Sequence, residues 1–173
     1  MLQLVRFVVA LAIAAAIQVL GLEIHGGFAR VADPFLIVAV FVSLPGRPVA
    51  AMFAGSATGL ACDALAGGSF GLHGFANTLT AYLSARLGQR LMAQQPFQVM
   101  LLFMLAGVFQ QALVTLAGFL LVADSELPEL WEVLARMVST GLGGLALALV
   151  ARRFSSWLQN RNDARRGKLS MAR

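Results

Sequence analysis

A chain of 173 residues that is 59% hydrophobic and only 12% charged, with a mean hydropathy of +0.80, carries more apolar surface than one core of this size encloses. That excludes an ordinary soluble domain and places the chain in a bilayer. The net charge of +5 is concentrated toward the C-terminus, and a single cysteine, Cys62, excludes an intramolecular disulfide and a cysteine-rich metal site.

Six spans are predicted. The first covers residues 4–22, close to the roughly 20 apolar residues a spanning helix needs, with Gln18 as its one interior polar side chain. It reads as a retained helix because no convincing cleavage site follows it. A polar stretch from Glu23 to Arg30 contains a Gly pair and forms a loop. Asp33-Pro34 then opens the second helix, with Asp as N-cap and Pro at the first helical position. The apolar run after it stops before Pro45-Gly46-Arg47-Pro48 and is about half a span long. Drawn from residue 28 to 44 it reaches span length with a kink near Pro34. A re-entrant second segment would leave five spans and move the N-terminus to the far side.

The third span covers residues 48–66 and the fourth 70–87, joined by the glycine-rich turn GGSFG. Ala51, Gly55, Gly59 and Asp63 recur every fourth residue, which stacks them on one nearly side-chain-free helix face ending in a carboxylate. Across the turn, His73, Asn77, Thr80 and Ser84 share a polar face. A small-residue seam beside a polar stripe suits two helices packed in lipid. This hairpin is expected to be the centre of the molecule. The fifth span covers residues 97–123, with Gln110 and Gln111 near its middle. An acidic loop leads to the sixth, residues 130–150, which carries Gly141, Gly143 and Gly144. Residues 1–151 thus form one transmembrane domain, and residues 152–173 a basic tail with the composition of a mobile segment.

An even number of spans puts both termini on one side, with Arg6, Arg47, Arg86, Arg90 and the tail. Glu23, Asp33, Asp124, Glu126 and Glu129 lie opposite, with Arg30 as the exception. The positive-inside rule makes the basic side cytoplasmic.

Asp63 lies one turn before the end of its helix, where ionisable groups are costly and often functional. It is a candidate proton, cation or partner site. The structural alternative, which is favoured, has it accept hydrogen bonds from amides of the Gly67-Gly68 turn or from His73. Glu132 and Arg136 stand four residues apart and are expected to neutralise each other. His25, His73 and Asp63 show no HxxxH or HExxH spacing, so no metal is expected. Ser56, Ser84 and Ser139 sit in no nucleophile motif, and the glycines from Gly141 to Gly144 follow no strand, so neither catalysis nor a nucleotide or other cofactor is expected. Those glycines, with Ala51, Gly55 and Gly59, read as helix-packing or partner-interface positions. The basic tail meets anionic lipid or an acidic cytosolic protein.

The ordered set Asp33-Pro34, Pro45-Gly46-Arg47, Gly55 with Gly59, Asp63, Gly67-Gly68 and Phe70-Gly71-Leu72-His73 resembles the middle of MreD, the bacterial rod shape-determining membrane protein family. These motifs cover about a third of the chain, and the remaining helices match only in being apolar. The resemblance implies a non-enzymatic inner-membrane component of the cell-elongation machinery. It implies association with the bitopic protein MreC and, through it, with MreB filaments, RodA and penicillin-binding protein 2, and no nucleic-acid partner. It also implies an all-α compact bundle of six transmembrane helices, similar to the substrate-binding subunits of energy-coupling-factor vitamin transporters. That likeness supplies the rival function, a vitamin-binding transporter subunit with Asp63, His73 and Asn77 lining its pocket. Against it stand short external loops and only 2 Trp and 1 Tyr to stack a flat ring.

Overall fold

The computed structural model describes residues 2–24, 26–66, 71–91, 95–121 and 129–170, with side chains through Arg153. The described residues are helical, in seven segments: α1 (Leu2–Ile24), α2 (Phe28–Val31), α3 (Pro34–Ser43), α4 (Pro48–Ala66), α5 (Leu72–Leu91), α6 (Pro96–Leu121) and α7 (Leu130–Ser170). By length and composition four stretches can cross a membrane: Gln3–Ile24, Pro48–Ala66, Pro96–Leu120 and Leu130–Arg153. The chain is therefore a multi-pass membrane protein. Its lipid-facing surface is plain on α1, where Leu4, Val5, Val8, Val9, Ile13, Ile17 and Leu20 are all exposed.

The second predicted span is split. After the single turn of α2, Ala32 is extended (φ −132°) and Asp33 is also non-helical (φ −128°), and the helix restarts at Pro34. Two effects force the break. Pro34 disfavours helical geometry at the residue before it, and the Asp33 side chain takes up a free amide of the new helix. What remains, α3, is ten residues, about 15 Å long, or half the hydrocarbon thickness.

This short helix, rather than the α4–α5 hairpin, is the enclosed element of the fold. It packs against α1, α4, α5, α6 and α7. Phe35, Leu36, Ala39 and Val40 are all 0% exposed. PFLIVAVFVS is apolar on every side, so neighbours can surround it without burying an unpaired polar side chain, whereas α4 and α5 each turn one side outward toward lipid (Phe53 75% and Phe75 57% exposed). The hairpin is instead the most extensive helix pair.

The small-residue positions explain how these helices approach. A side chain at Gly55 would overlap the Asn77 carbonyl, and one at Gly59 would stand 2.6 Å from Gly74 Cα, so α4 and α5 meet backbone to backbone. Ala39, Ala51, Ala81 and Ala85 close the α3–α4–α5 contact, each fully buried. Across the bundle, Gly141 receives Met104, Gly144 receives the Phe103 ring and Gly143 faces Ile37. These positions are occupied within the chain. At the turn before α4, Gly46 has φ +69°, open to glycine without strain, and its carbonyl accepts a 2.5 Å hydrogen bond from Gln89 Nε2.

The basic segment continues the last helix. α7 continues without a break from Leu130 to Ser170, 41 residues and about 61 Å, roughly twice the hydrocarbon thickness. Beyond Gly144 no Gly or Pro interrupts it before Gly167, and its Arg, Gln, Leu and Lys residues are good helix formers.

Candidate functional site

Two buried carboxylates stand at one end of the bundle, and each accepts hydrogen bonds from amides at the start of a helix. Asp63, 3% exposed, is carried by the last turns of α4 and is aimed at the start of α5. Its Oδ2 accepts from the amides of Gly71 (2.9 Å) and Gly74 (3.0 Å). Its Oδ1 accepts from the amide of His73 (3.1 Å) and lies 2.8 Å from His73 Nδ1. Four contacts therefore converge on one carboxylate, enough to offset taking it out of water. The amides of His73 and Gly74 belong to the first turn of α5, whose unpaired N–H groups and positive dipole end favour a carboxylate there. Gly71 adopts φ +101°, a value side chains rarely tolerate, which turns its amide toward Asp63. Gly67 and Gly68, the turn expected to supply amides, lie outside the described residues, as does His25.

Asp33, also 3% exposed, has longer reach. Its Oδ1 accepts from the Leu36 amide at 2.9 Å, capping α3. Its Oδ2 accepts from Gln110 Nε2 of α6 at 3.1 Å and from Arg136 Nη2 of α7 at 2.7 Å. One carboxylate thereby joins three helices through a buried ion pair. Arg136 is thus paired with Asp33 rather than with its helix neighbour. Glu132 turns instead to Arg30 of α2, at 3.4 Å. The expected i, i+4 neutralisation loses because Arg136 sits deeper, at the level of a buried acid, while Glu132 stands one turn nearer water. Ser139 fastens the same region by donating to the Val31 carbonyl, where α2 breaks off.

Beside the Asp33–Arg136 pair lies a cavity of about 240 Å³. Every helix but α3 contributes to it, and Asp33 stands just before that one: Gln18 comes from α1, Arg30 from α2, Cys62 from α4, His73 from α5, Gln111 from α6, and Glu132 with Arg136 from α7. Several buried polar atoms here, Gln18 Oε1, Gln111 Oε1 and Arg136 Nε, find no hydrogen-bond partner among the described residues. Unpaired polar atoms in a low-dielectric interior cost free energy, so these three atoms call for hydrogen-bond partners. Among the described residues no group of three or more His, Cys, Asp or Glu side chains is set to hold a metal.

A family model for MreD, the rod shape-determining protein, matches residues 1–138. The chain belongs to the MreD family. The family consists of non-enzymatic membrane proteins of the shape-determining machinery, and rod-shape determination is its role. Neither a curated protein nor a solved structure matches the chain. The matched region contains both carboxylates and the whole cavity; all but the first nine residues of α7 lie beyond it.

Of the site residues read from the MreD-like motif, Asp63, Gly71 and His73 come together with Gly74. Asp33 and Pro34 start α3, and of these only His73 and Asp33 reach the cavity. Asn77 is fully buried beneath α4, with neither amide atom paired among the described residues, and is not part of the cavity lining. Arg136, Gln111 and Gln18 were missed as cavity residues. A signal existed for the first: an arginine almost two turns into an apolar helix needs a buried acid, and Asp33 is the candidate N-cap at matching depth.

Proposed function

We propose that this chain is a scaffold of the cell-elongation machinery in the bacterial inner membrane that binds MreC. Through MreC it helps couple MreB filaments to peptidoglycan synthesis by RodA and penicillin-binding protein 2. The observation that carries this is the cavity: six helices converge on a buried ion pair and leave acceptors and a guanidinium N–H unpaired among the described residues. A bitopic partner whose transmembrane helix lies on the apolar flank of the bundle would have its adjoining external residues at that opening. Backbone N–H and C=O groups of such a segment would satisfy Gln18, Gln111 and Arg136. Binding one partner conformation better than others is then how the scaffold acts.

The orientation follows from charge. Arg6, Arg47, Arg86, Arg90, Arg152 and Arg153 belong to the end opposite the cavity, so that end and both termini are cytoplasmic. In this reading α2 with α3, and the more polar α5, complete six crossings. Enclosure by neighbouring helices lets a short or polar segment remain in the membrane. A six-helix arrangement of this kind is similar to the vitamin-binding transporter subunits. The cavity, however, is smaller than the 300–1,000 Å³ typical of ligand sites and no Trp, Tyr or Phe among the described residues lines it, which favours a chain segment over a flat ring.

The test is co-purification with co-expressed MreC, with a photo-crosslinking residue at Gln18 or Gln111. Crosslinks from both positions to residues flanking the MreC transmembrane helix are expected. A stable complex with no crosslink from either position would remove the cavity from the interface. Absence of any complex, with a vitamin bound instead, would overturn the scaffold.

A further inference from the structure

Among the described residues, the walls of the cavity beside Arg136 carry two cations and two anions, and each is already matched. Asp33 holds Arg136 at 2.7 Å, and Glu132 meets Arg30 at 3.4 Å. His73 turns its Nδ1 to Asp63, at 2.8 Å. A net charge brought into this space would meet no spare counter-ion, and burying an unmatched charge is costly. That selects a neutral occupant. What the walls leave open is a set of hydrogen bonds. Gln18 Oε1 and Gln111 Oε1 lack a donor, and Arg136 Nε lacks an acceptor, among the described residues. Gln18 and Arg136 are 7% and 8% exposed. The terminal amide torsion of glutamine is soft, so both oxygens can turn toward the space their side chains line. An occupant that answers all three atoms brings two N–H donors and one acceptor.

We propose that this site reads a primary carboxamide, the side chain of an asparagine or glutamine carried by the partner segment that enters the cavity. The carrier rests on the partner reading above; the group itself rests on the count of donors and acceptors. An ionised carboxylate has no donor, and an ammonium or guanidinium has no acceptor and brings a charge. A hydroxyl has one donor, and a backbone peptide unit one donor with one acceptor. Among protein side chains the carboxamide is the neutral group with two donors and an acceptor. It also pairs with a glutamine amide whichever way either is turned, because each sets N–H and C=O side by side.

The test uses the full chain alone in mild detergent, with three blocked amino acids of nearly the same shape: the methylamides of N-acetyl-asparagine, N-acetyl-aspartate and N-acetyl-leucine. Binding is read from the rise of the thermal unfolding midpoint with probe concentration. The asparagine probe is expected to bind about ten-fold tighter than the leucine probe, the weight of one or two net hydrogen bonds. The aspartate probe, which adds a charge, should bind more weakly than the asparagine probe. Gln18→Leu and Gln111→Leu each remove an unpaired oxygen, so both variants should fold while losing most of the preference for asparagine. Equal binding of the asparagine probe and either of the others overturns the proposal. So does no shift with any probe, which leaves the cavity to water, or an unchanged preference in both glutamine variants. These readouts need no partner, so they stand or fall apart from whether MreC binds. For the carrier, crosslinks from positions 18 and 111 should reach a stretch of MreC that contains an Asn or Gln. A crosslinked stretch with neither overturns that assignment and leaves the scaffold reading in place.

Discussion

Asp33 and Asp63 are equally buried and lie at the same end of the bundle, yet they are built on different plans. Asp63 is answered within eleven residues, by the Gly71, His73 and Gly74 amides and the His73 ring. Asp33 is answered from 77 and 103 residues away, by Gln110 and Arg136. The first is a closed knot that fixes how one hairpin turns. The second ties α3, α6 and α7 together and leaves Gln110 Oε1 and Arg136 Nε unpaired among the described residues. A carboxylate capped by amides of its own hairpin is a folding device. One that holds distant helices around an incompletely satisfied cavity can also be a point where binding and packing meet.

The largest effect should come from breaking the distant pair. Arg136→Met leaves the Asp33 carboxylate buried without its cation and should cost about 3–5 kcal/mol. Thermal unfolding in detergent would show this as a large fall in midpoint. The double variant Asp33→Asn, Arg136→Met should recover most of the loss, because Asn still caps α3 and no charge remains buried. A double variant no better than the single one would mean that the pair matters for geometry, not for charge balance.

Asp63→Asn should cost less, about 1–3 kcal/mol, the range for a buried group left badly paired. The Asn oxygen keeps some of the amide donors, but its NH₂ then faces another donor. Because the knot is local, complex formation with MreC measured on the folded fraction should be unchanged. A selective loss of the partner with stability intact would show that the closed knot is itself an interface.

This difference in sequence reach also decides what was legible beforehand. Asp63 and His73 were placed near one another because a turn joins their helices, and Asp33-Pro34 spells a helix start in two residues. The link from Asp33 to Arg136 is not local, and Glu132 offered a nearer partner that the fold declines. The glycines at 55, 59, 141 and 144 spelled close helix approach, but spacing alone does not say whether the approaching helix belongs to the same chain; the overlaps with Asn77, His73, Met104 and Phe103 do. The primacy of α3 was hidden for a related reason. Ten apolar residues are too few for a span, and only the assembled neighbours show that a short helix can be the most enclosed one.

The smallest effect on stability, and the most informative about the open site, belongs to Arg30. Its side chain is 74% exposed and its 3.4 Å contact with Glu132 is a surface pair, worth less than about 1 kcal/mol. Arg30→Gln should therefore leave the unfolding midpoint nearly unchanged. Yet Arg30 lines the same cavity as Arg136 and stands at its outer rim, on the α2 turn. If a partner segment enters there, removing a rim charge should change the rate of association and its salt dependence more than the dissociation rate. Association measured at low and at high salt separates these outcomes. A variant with native stability and native kinetics at both would place the partner away from the α2 side of the cavity, while the Asp33–Arg136 pair could still act as its floor.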